Sequence, residues 1–356
     1  MMRAPSFAYR APRSVAEVVE ILAGEGPQAR LLAGGTDLVP NLKRRQQVPV
    51  TLVALRRVEA LKEVTSGGGF LTLGAGLTLS QVVGHRDLSP GQRALEVAAS
   101  KVATPHIRNM GTIGGNLCLD TRCNYYNQNY EWRQAIDFCK KAPGPEGTAK
   151  TEVTTGICWV APSSPRCWAV SSTDTAPALV ALGAEVTLVS TQGERRIPLS
   201  ELYFDDGMAY LTKRPDELLT AVHVPILGEG WKSTYWKLRR RGSFDFPVLS
   251  VAAAIKFGPQ GVVLEARMTL GAVQSYPVSV PTDALLGQPL SDEVIATFAA
   301  AASRPARPLD NTDYNLSWRK KVCTAYIAGA LKELRGDSPE QLGVLARTAA
   351  RLPVLS

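Results

Sequence analysis

Apolar residues recur at helical spacing from Val15 to Leu22, where Val15, Val18, Val19 and Leu22 share one face and Ser14 stands at the N-cap position. Gly24 to Pro27 breaks that helix. The run Ala29–Ala33 has the pattern of a buried strand and leads into Gly34-Gly35-Thr36-Asp37, after which a helix over 38–45 is expected. Residues 51–55 form a second strand pattern. The first 55 residues therefore predict a unit of helices and parallel strands.

The texture changes near residue 56. Residues 70–75 predict a strand after a Gly-rich turn, residues 80–83 start a helix, and residues 95–102 predict a helix of small residues that Pro105 ends. Residues 107–117 are loop-like, with three glycines. Further on, residues 176–182 predict a helix, 184–190 a strand, Gln192-Gly193 a hairpin turn and 195–198 its return. Between these lies 120–168, polar and aromatic, without sustained periodicity and rich in Pro and Gly at 143–147. So long a segment without elements inside a compact domain is usually functional.

Alternating patterns over 221–225, 233–239, 248–257 and 262–272 predict antiparallel strands, and 291–302, 316–334 and 338–350 predict three helices. Boundaries fall near 55 and 225. The expected division is 1–55, then 56–225 carrying an insertion at 120–168, then 226–356 as a three-stranded antiparallel sheet with a three-helix bundle. The fold class is α+β.

Composition narrows the function classes. The chain is 45% hydrophobic and 20% charged, which describes a folded globular protein. No apolar run is long enough to span a membrane, and the first residues lack the apolar core of a secretory signal, so a cytoplasmic protein is expected. The net charge of +8 comes from scattered residues, the densest groups being Lys43-Arg44-Arg45 and Arg239-Arg240-Arg241. That is a solvated surface, not a nucleic-acid footprint. Five of the six cysteines fall between 118 and 167. In a reducing compartment such a cluster points to metal or cofactor chemistry before disulfides.

Two loops could hold a phosphate. In Leu31-Leu32-Ala33-Gly34-Gly35-Thr36-Asp37-Leu38 a strand feeds a glycine turn at a helix start, where free backbone N–H groups collect and Thr36 or Asp37 can cap the helix. In Thr112-Ile113-Gly114-Gly115-Asn116, after Arg108-Asn109, small side chains again leave room for a polyanion. Neither matches the dinucleotide fingerprint or the P-loop spacing, and either alone could be a capped turn without a ligand. Two such loops in one chain suggest opposite jaws around one pyrophosphate.

These segments, with Ser172-Thr173-Asp174-Thr175-Ala176-Pro177-Ala178-Leu179 and Tyr235 to Arg241, resemble the FAD-binding subunit of the xanthine dehydrogenase family of molybdenum hydroxylases, in the same order along nearly the whole chain. The resemblance implies a two-part FAD-binding domain of the vanillyl-alcohol-oxidase-like (PCMH) type, noncovalent FAD, and a pyrophosphate held by residues 31–38 and 112–116. It places Asp174 near the ribityl or pyrophosphate part, and Leu219 and Lys237 near the flavin ring. A strand-surface cation is the other reading of Lys237.

Ordinary members of that family run almost directly from the second glycine loop to the Asp174 segment, whereas this chain inserts four cysteines there. Cys123, Cys139, Cys158 and Cys167 are separated by 16, 19 and 9 residues. Four thiolates can close a cubane iron–sulfur cluster or a tetrahedral zinc site, and the spacing fits neither a zinc ribbon nor a ferredoxin run. An inserted redox centre has an evident use in a flavin subunit; zinc would brace a loop. The segments 123–128, 130–133 and 161–172 further resemble the beta subunit of 4-hydroxybenzoyl-CoA reductases, which implies a 4Fe-4S cluster on these cysteines. Cys118 and Cys323 are expected as small buried hydrophobes.

On that resemblance the chain transfers electrons and carries no catalytic residue of its own. Implied partners are a large molybdopterin subunit with the substrate site, a small subunit with two 2Fe-2S clusters, and ferredoxin as donor entering at an exposed cysteine loop, in a dimer of heterotrimers without nucleic acid or membrane. Kept beside this are an oxidative hydroxylase flavin subunit, a zinc-braced non-redox loop on the same fold, and a free-standing flavin oxidase.

Overall fold

The computed structural model describes residues 3–142, 156–312 and 314–342. Near the N-terminus Ser14 caps the helix Val15–Glu25 by accepting from the Glu17 N–H, and Val18, Val19 and Leu22 are buried against Ala29 and Val53. The strands Ala29–Leu32 and Thr51–Ala54 pair in parallel, as the apolar runs require. A third parallel strand, Ala8–Arg10, joins the far edge of Thr51–Ala54. Its residues are exposed, so no apolar pattern announced it.

A five-stranded antiparallel sheet follows, in the order Val64–Gly67, Phe70–Gly74, Leu218–Pro225, Glu185–Ser190, Gly193–Pro198. The strand grouped by its pattern with the C-terminal ones, 221–225, is thus the middle of this earlier sheet. Pairing with Phe70–Gly74, more than a hundred residues earlier, and with Glu185–Ser190 decides that, and local alternation carries no such information.

The C-terminal sheet has four strands, not three, ordered Val278–Val280, Val263–Gly271, Leu249–Phe257, Trp231–Leu238. The added edge strand is too short for a visible alternation. Helices Asp292–Ala302 and Leu316–Arg335 cover one face, with Gly329 against the Trp236 ring. Of the third expected helix, residues 338–342 form turns and the remainder lies outside the described residues.

Helices Arg93–Ser100 and Thr175–Leu182 are shared by both large sheets. Ala94, Ala98, Ala99, Ala176, Ala178 and Ala181 are buried, and one apolar cluster joins them to Leu71 and Leu73 on one side and to Tyr235, Ala252 and Ala254 on the other. Small side chains let both sheets approach the same two helices. Among the described residues no helix is long and apolar enough to cross a membrane.

Candidate functional site

The two glycine loops meet. A Cβ built on Gly34 would stand 1.9 Å from the Met110 carbonyl oxygen and 2.9 Å from the Gly111 Cα, so only glycine lets the first loop pass the start of the second. Gly35 has a φ of +70°, a left-handed conformation that favours glycine. Around this crossing opens a cavity of about 1300 Å³ lined by Leu31, Ala33 to Leu38, Thr112, Gly114, Gly115, Asn116, Asp174 and Leu219. That exceeds the roughly 300–1,000 Å³ of an ordinary small-molecule pocket and suits a dinucleotide. Leu32, Ile113 and Lys237 do not line it. Ile113 is core, and Lys237 stands behind Asp174.

Several expected roles shift once partners are visible. Asp37 occupies the N-cap position of the helix Leu38–Lys43, but its side chain makes no cap bond. It accepts instead from Asn41 Nδ2 at 2.9 Å and pairs with Arg122. Thr112 does cap the helix Ile113–Leu117, its Oγ1 accepting from the Gly115 N–H at 3.1 Å. Asn116 braces the site: its Oδ1 accepts from Thr173 Oγ1, Thr175 Oγ1 and the Thr175 N–H. These helices have six and five residues, so loop amides and nearby cations have more to offer a diphosphate than any helix end.

Lys237 is buried, not a surface cation. Its ammonium donates to Asp174 Oδ2 at 2.8 Å and to the Lys101 carbonyl at 2.9 Å, while Tyr235 donates its hydroxyl to Asp174 Oδ1 at 2.7 Å. Burial pushes the Asp174 carboxyl up and the Lys237 ammonium down, and their ion pair opposes both shifts. Asp174 therefore presents a fixed, fully engaged carboxylate at the cavity wall.

Sequence reasoning missed the basic lining. Arg30, Arg122, Lys213 and Arg214 reach the cavity from separate stretches of chain. Arg122 is buried, its guanidinium depressed to about 10 by desolvation, and it stacks 4.6 Å from the Phe246 ring centroid. Lys213 and Arg214 are neighbours, but no local motif joins them to Arg30 or Arg122; only the fold does.

The insertion folds onto the cavity. The isolated bridge Arg122–Val170 closes its base, and Asn129 caps a short helix, Tyr130–Ala135. Tyr126, Tyr130 and Lys141 from this segment line the cavity. The four cysteines lie behind them, each 5–7% exposed, with Cys123, Cys139 and Cys167 packed with Phe138, Ala142 and Ala169. The thiols are thus buried, where an exposed cysteine loop was expected; apolar neighbours within the insertion cover them. The Cys158 and Cys167 side chains hydrogen-bond each other, and Cys123 lies close enough to Cys139 and Cys158 to interact electrostatically.

The Ala169 N–H donates to the Cys167 sulfur at 3.4 Å, while the Tyr126, Ala142 and Ala161 N–H groups close turns on the carbonyls of Cys123, Cys139 and Cys158 at 3.0, 3.0 and 2.9 Å. Burial pushes Cys123 up to about 12, whereas the Cys167 hydrogen bond pulls Cys158 down to about 5. Among the described residues no three His, Cys, Asp or Glu side chains converge on a point that a single ion could occupy. Cys118 stands apart, lining the cavity near Lys213, and Cys323 is buried in the C-terminal helix. Residues 143–155, including the Pro/Gly stretch, lie outside the described residues.

Residues 5–227 match the family model of the FAD-binding domain in molybdopterin dehydrogenase, and residues 233–334 match that of the CO dehydrogenase flavoprotein C-terminal domain. The aldehyde oxidoreductase FAD-binding subunit of Escherichia coli is 30% identical, over 91% of this chain and 98% of its own. Subunit alpha of the 6-hydroxypseudooxynicotine dehydrogenase complex of Paenarthrobacter nicotinovorans is 27% identical over 93% and 95%. Among solved structures, reconstituted CO dehydrogenase from Oligotropha carboxidovorans has a chain that superimposes with a TM-score of 0.76 at 24% identity, covering 95% of this chain and all of that one. The PCMH-type fold with an appended sheet-and-helix domain is thereby shown, and the chain belongs to the FAD-binding subunits of the molybdenum hydroxylase family of oxidoreductases.

Proposed function

We propose that this chain is the electron-transfer subunit of an oxidative molybdenum hydroxylase, holding FAD in the cavity and a 4Fe-4S cluster in the four-cysteine pocket. The observation that carries the flavin part is the crossing of Gly34 with Met110 and Gly111 at a dinucleotide-sized cavity lined by both glycine loops. In this reading the cavity-lining residues of 31–38 and 112–116 hold the pyrophosphate, Asp174, braced from behind by Lys237, lies near the ribityl or pyrophosphate part, and Leu219 borders the flavin ring. Bound FAD supplies the exchange between paired and single electrons.

The cluster part rests on four buried thiols gathered in one insertion, with the Cys167 sulfur accepting the Ala169 N–H at 3.4 Å. Zinc needs ligands converging at about 2.3 Å on one ion, whereas a cubane spreads its ligands over four irons.

Relatives named for aldehyde oxidoreductase and 6-hydroxypseudooxynicotine dehydrogenase complexes support an oxidative direction and, as the proposed substrate class, an aldehyde or heteroaromatic compound. A large molybdopterin subunit would hold that substrate, and a small iron–sulfur subunit would deliver electrons to this chain. The reductive reading, a 4-hydroxybenzoyl-CoA reductase fed by ferredoxin, rests on the cysteine insertion alone.

The test is to purify the complex anaerobically, measure FAD, iron, zinc and acid-labile sulfide, and compare turnover of aldehydes and N-heteroaromatics with that of 4-hydroxybenzoyl-CoA plus reduced ferredoxin. FAD with matched iron and sulfide and oxidative turnover is expected. Zinc without sulfide would reject the cluster, and ferredoxin-driven dehydroxylation would reject the oxidative direction.

A further inference from the structure

Arg122 stands where the chain enters the insertion, and it reaches three separate stretches of the fold. Its N–H donates to the Val170 carbonyl at 2.8 Å and its carbonyl accepts from the Val170 N–H at 2.7 Å, which closes the base of the insertion. Its guanidinium donates through Nη2 to Asp37 Oδ1 and through Nη1 to Asn41 Oδ1, the latter at 3.3 Å. Asn41 in turn donates its Nδ2 to Asp37 Oδ2 at 2.9 Å, so the three side chains close a ring. The guanidinium carbon stands over the Phe246 ring, in the loop between the strands Trp231–Leu238 and Leu249–Phe257.

Asp37, Arg122 and Phe246 all line the cavity, and Asp37 is the only charged side chain of the loop Leu31 to Leu38. A diphosphate held by that loop is itself an anion, and like charges in a partly buried site repel strongly because little water screens them. The ring takes up both carboxylate oxygens of Asp37, and the Arg122 charge cancels its own. The ring is also rigid, since Asn41 is fully buried and the Arg122 side chain is 5% exposed. A guanidinium suits this place: its planar fork serves two acceptors while its face stays free for an aromatic ring, whereas a lysine ammonium is a point charge on a flexible stem. The insertion presses on the same wall further along, where Gln46 Nε2 donates to the Tyr126 carbonyl at 2.5 Å and Gln47 Nε2 to Asp120 Oδ2 at 3.2 Å.

We propose that Arg122 is a positioning residue for the flavin: by pairing with Asp37 it cancels the one negative charge on the first glycine loop and holds that loop in place, which makes the cysteine insertion a working part of the FAD site. The proposal rests on the reading of the cavity as the FAD site and is independent of what the four cysteines hold. Arg122 acts on affinity, through Asp37, and no covalent step is involved.

FAD dissociation from the intact complex, followed by the fluorescence of flavin released on dilution, tests this in wild type, Arg122→Met, Arg122→Lys, Asp37→Asn and the double variant Arg122→Met with Asp37→Asn. The melting temperature of each is measured alongside. Arg122→Met should weaken FAD binding by about 5- to 150-fold, the usual range of coupling between sites. Arg122→Lys should fall between that variant and wild type, because the charge is kept and the fork is lost. The double variant should bind FAD more tightly than Arg122→Met, because the carboxylate that repels the diphosphate is gone. A mere brace would lower the melting temperature of both and give no such recovery. Wild-type affinity in Arg122→Met overturns the proposal, and so does a double variant that binds no more tightly than Arg122→Met. If Arg122→Met does not assemble, Asp37→Asn decides: it should hold FAD at least as tightly as wild type, and weaker binding overturns the proposal. Wild-type complex without FAD removes the flavin reading and the proposal together. FAD-loaded wild type with unshifted variants removes the proposal alone.

Discussion

Gly34 faces the Met110 carbonyl so closely that a methyl group on it would stand 1.9 Å from that oxygen. Backbone, not a flexible side chain, fills the space, so Gly34→Ala must push the two glycine loops apart. Overpacking of this kind costs about 1–3 kcal/mol. The expected result is a complex that still folds, melts several degrees lower and holds less FAD. Gly115→Val is the companion variant, since a Cβ there meets only Thr112 Oγ1 at 2.9 Å within 3 Å. It should lose FAD with a smaller change in melting temperature. Full flavin content in both variants would contradict the pyrophosphate assignment.

The Asp174–Lys237 pair should show strong non-additivity. Asp174→Asn leaves the Lys237 ammonium buried with only the Lys101 carbonyl and a neutral amide as partners, a situation that costs about 3–5 kcal/mol. Adding Lys237→Met removes the orphaned charge and should recover most of that loss in denaturant unfolding. Because only Asp174 lines the cavity, the double variant should regain stability without regaining full flavin affinity. Equal unfolding midpoints for the single and double variants would count against the pair.

Cys158→Ala and Cys139→Ala each leave three thiols in the pocket. Iron and sulfide should fall in both while FAD stays near wild type, because neither residue lines the cavity. Cys118→Ala is the contrasting variant, expected to keep full iron. Full iron in all of the pocket variants would remove those cysteines from the ligand set.

Asp337 sits just past the helix Leu316–Arg335, where hydrogen bonds from the Arg335 guanidinium hold its carboxyl below the usual 3.8. A carboxyl depressed in the folded state adds stability above its unfolded value and loses it as pH falls through the folded one. Wild type and Asp337→Asn should therefore differ in melting temperature near neutral pH and converge below about pH 4. A difference that persists undiminished in acid would show that the loss is steric.

Near-neighbour chemistry was legible in the sequence. The helix Val15–Glu25 with its Ser14 cap, the parallel strands around the first glycine loop, and the two diglycine loops each depend on residues a few positions apart, and spacing alone reveals them. Four cysteines in one insertion were likewise a signal of composition. Tertiary structure decided everything that needs distant segments to meet. It put the strand Leu218–Pro225 in the middle of the earlier sheet, and it diverted Asp37 from capping its helix to pairing with Arg122, 85 positions away. It buried Lys237 behind Asp174 and paired Lys141 with Asp120 at the cavity wall. A hydrophobic period records which face of an element is covered, but not by what. A buried ion pair is chosen by desolvation, which exists only once the chain has closed around it.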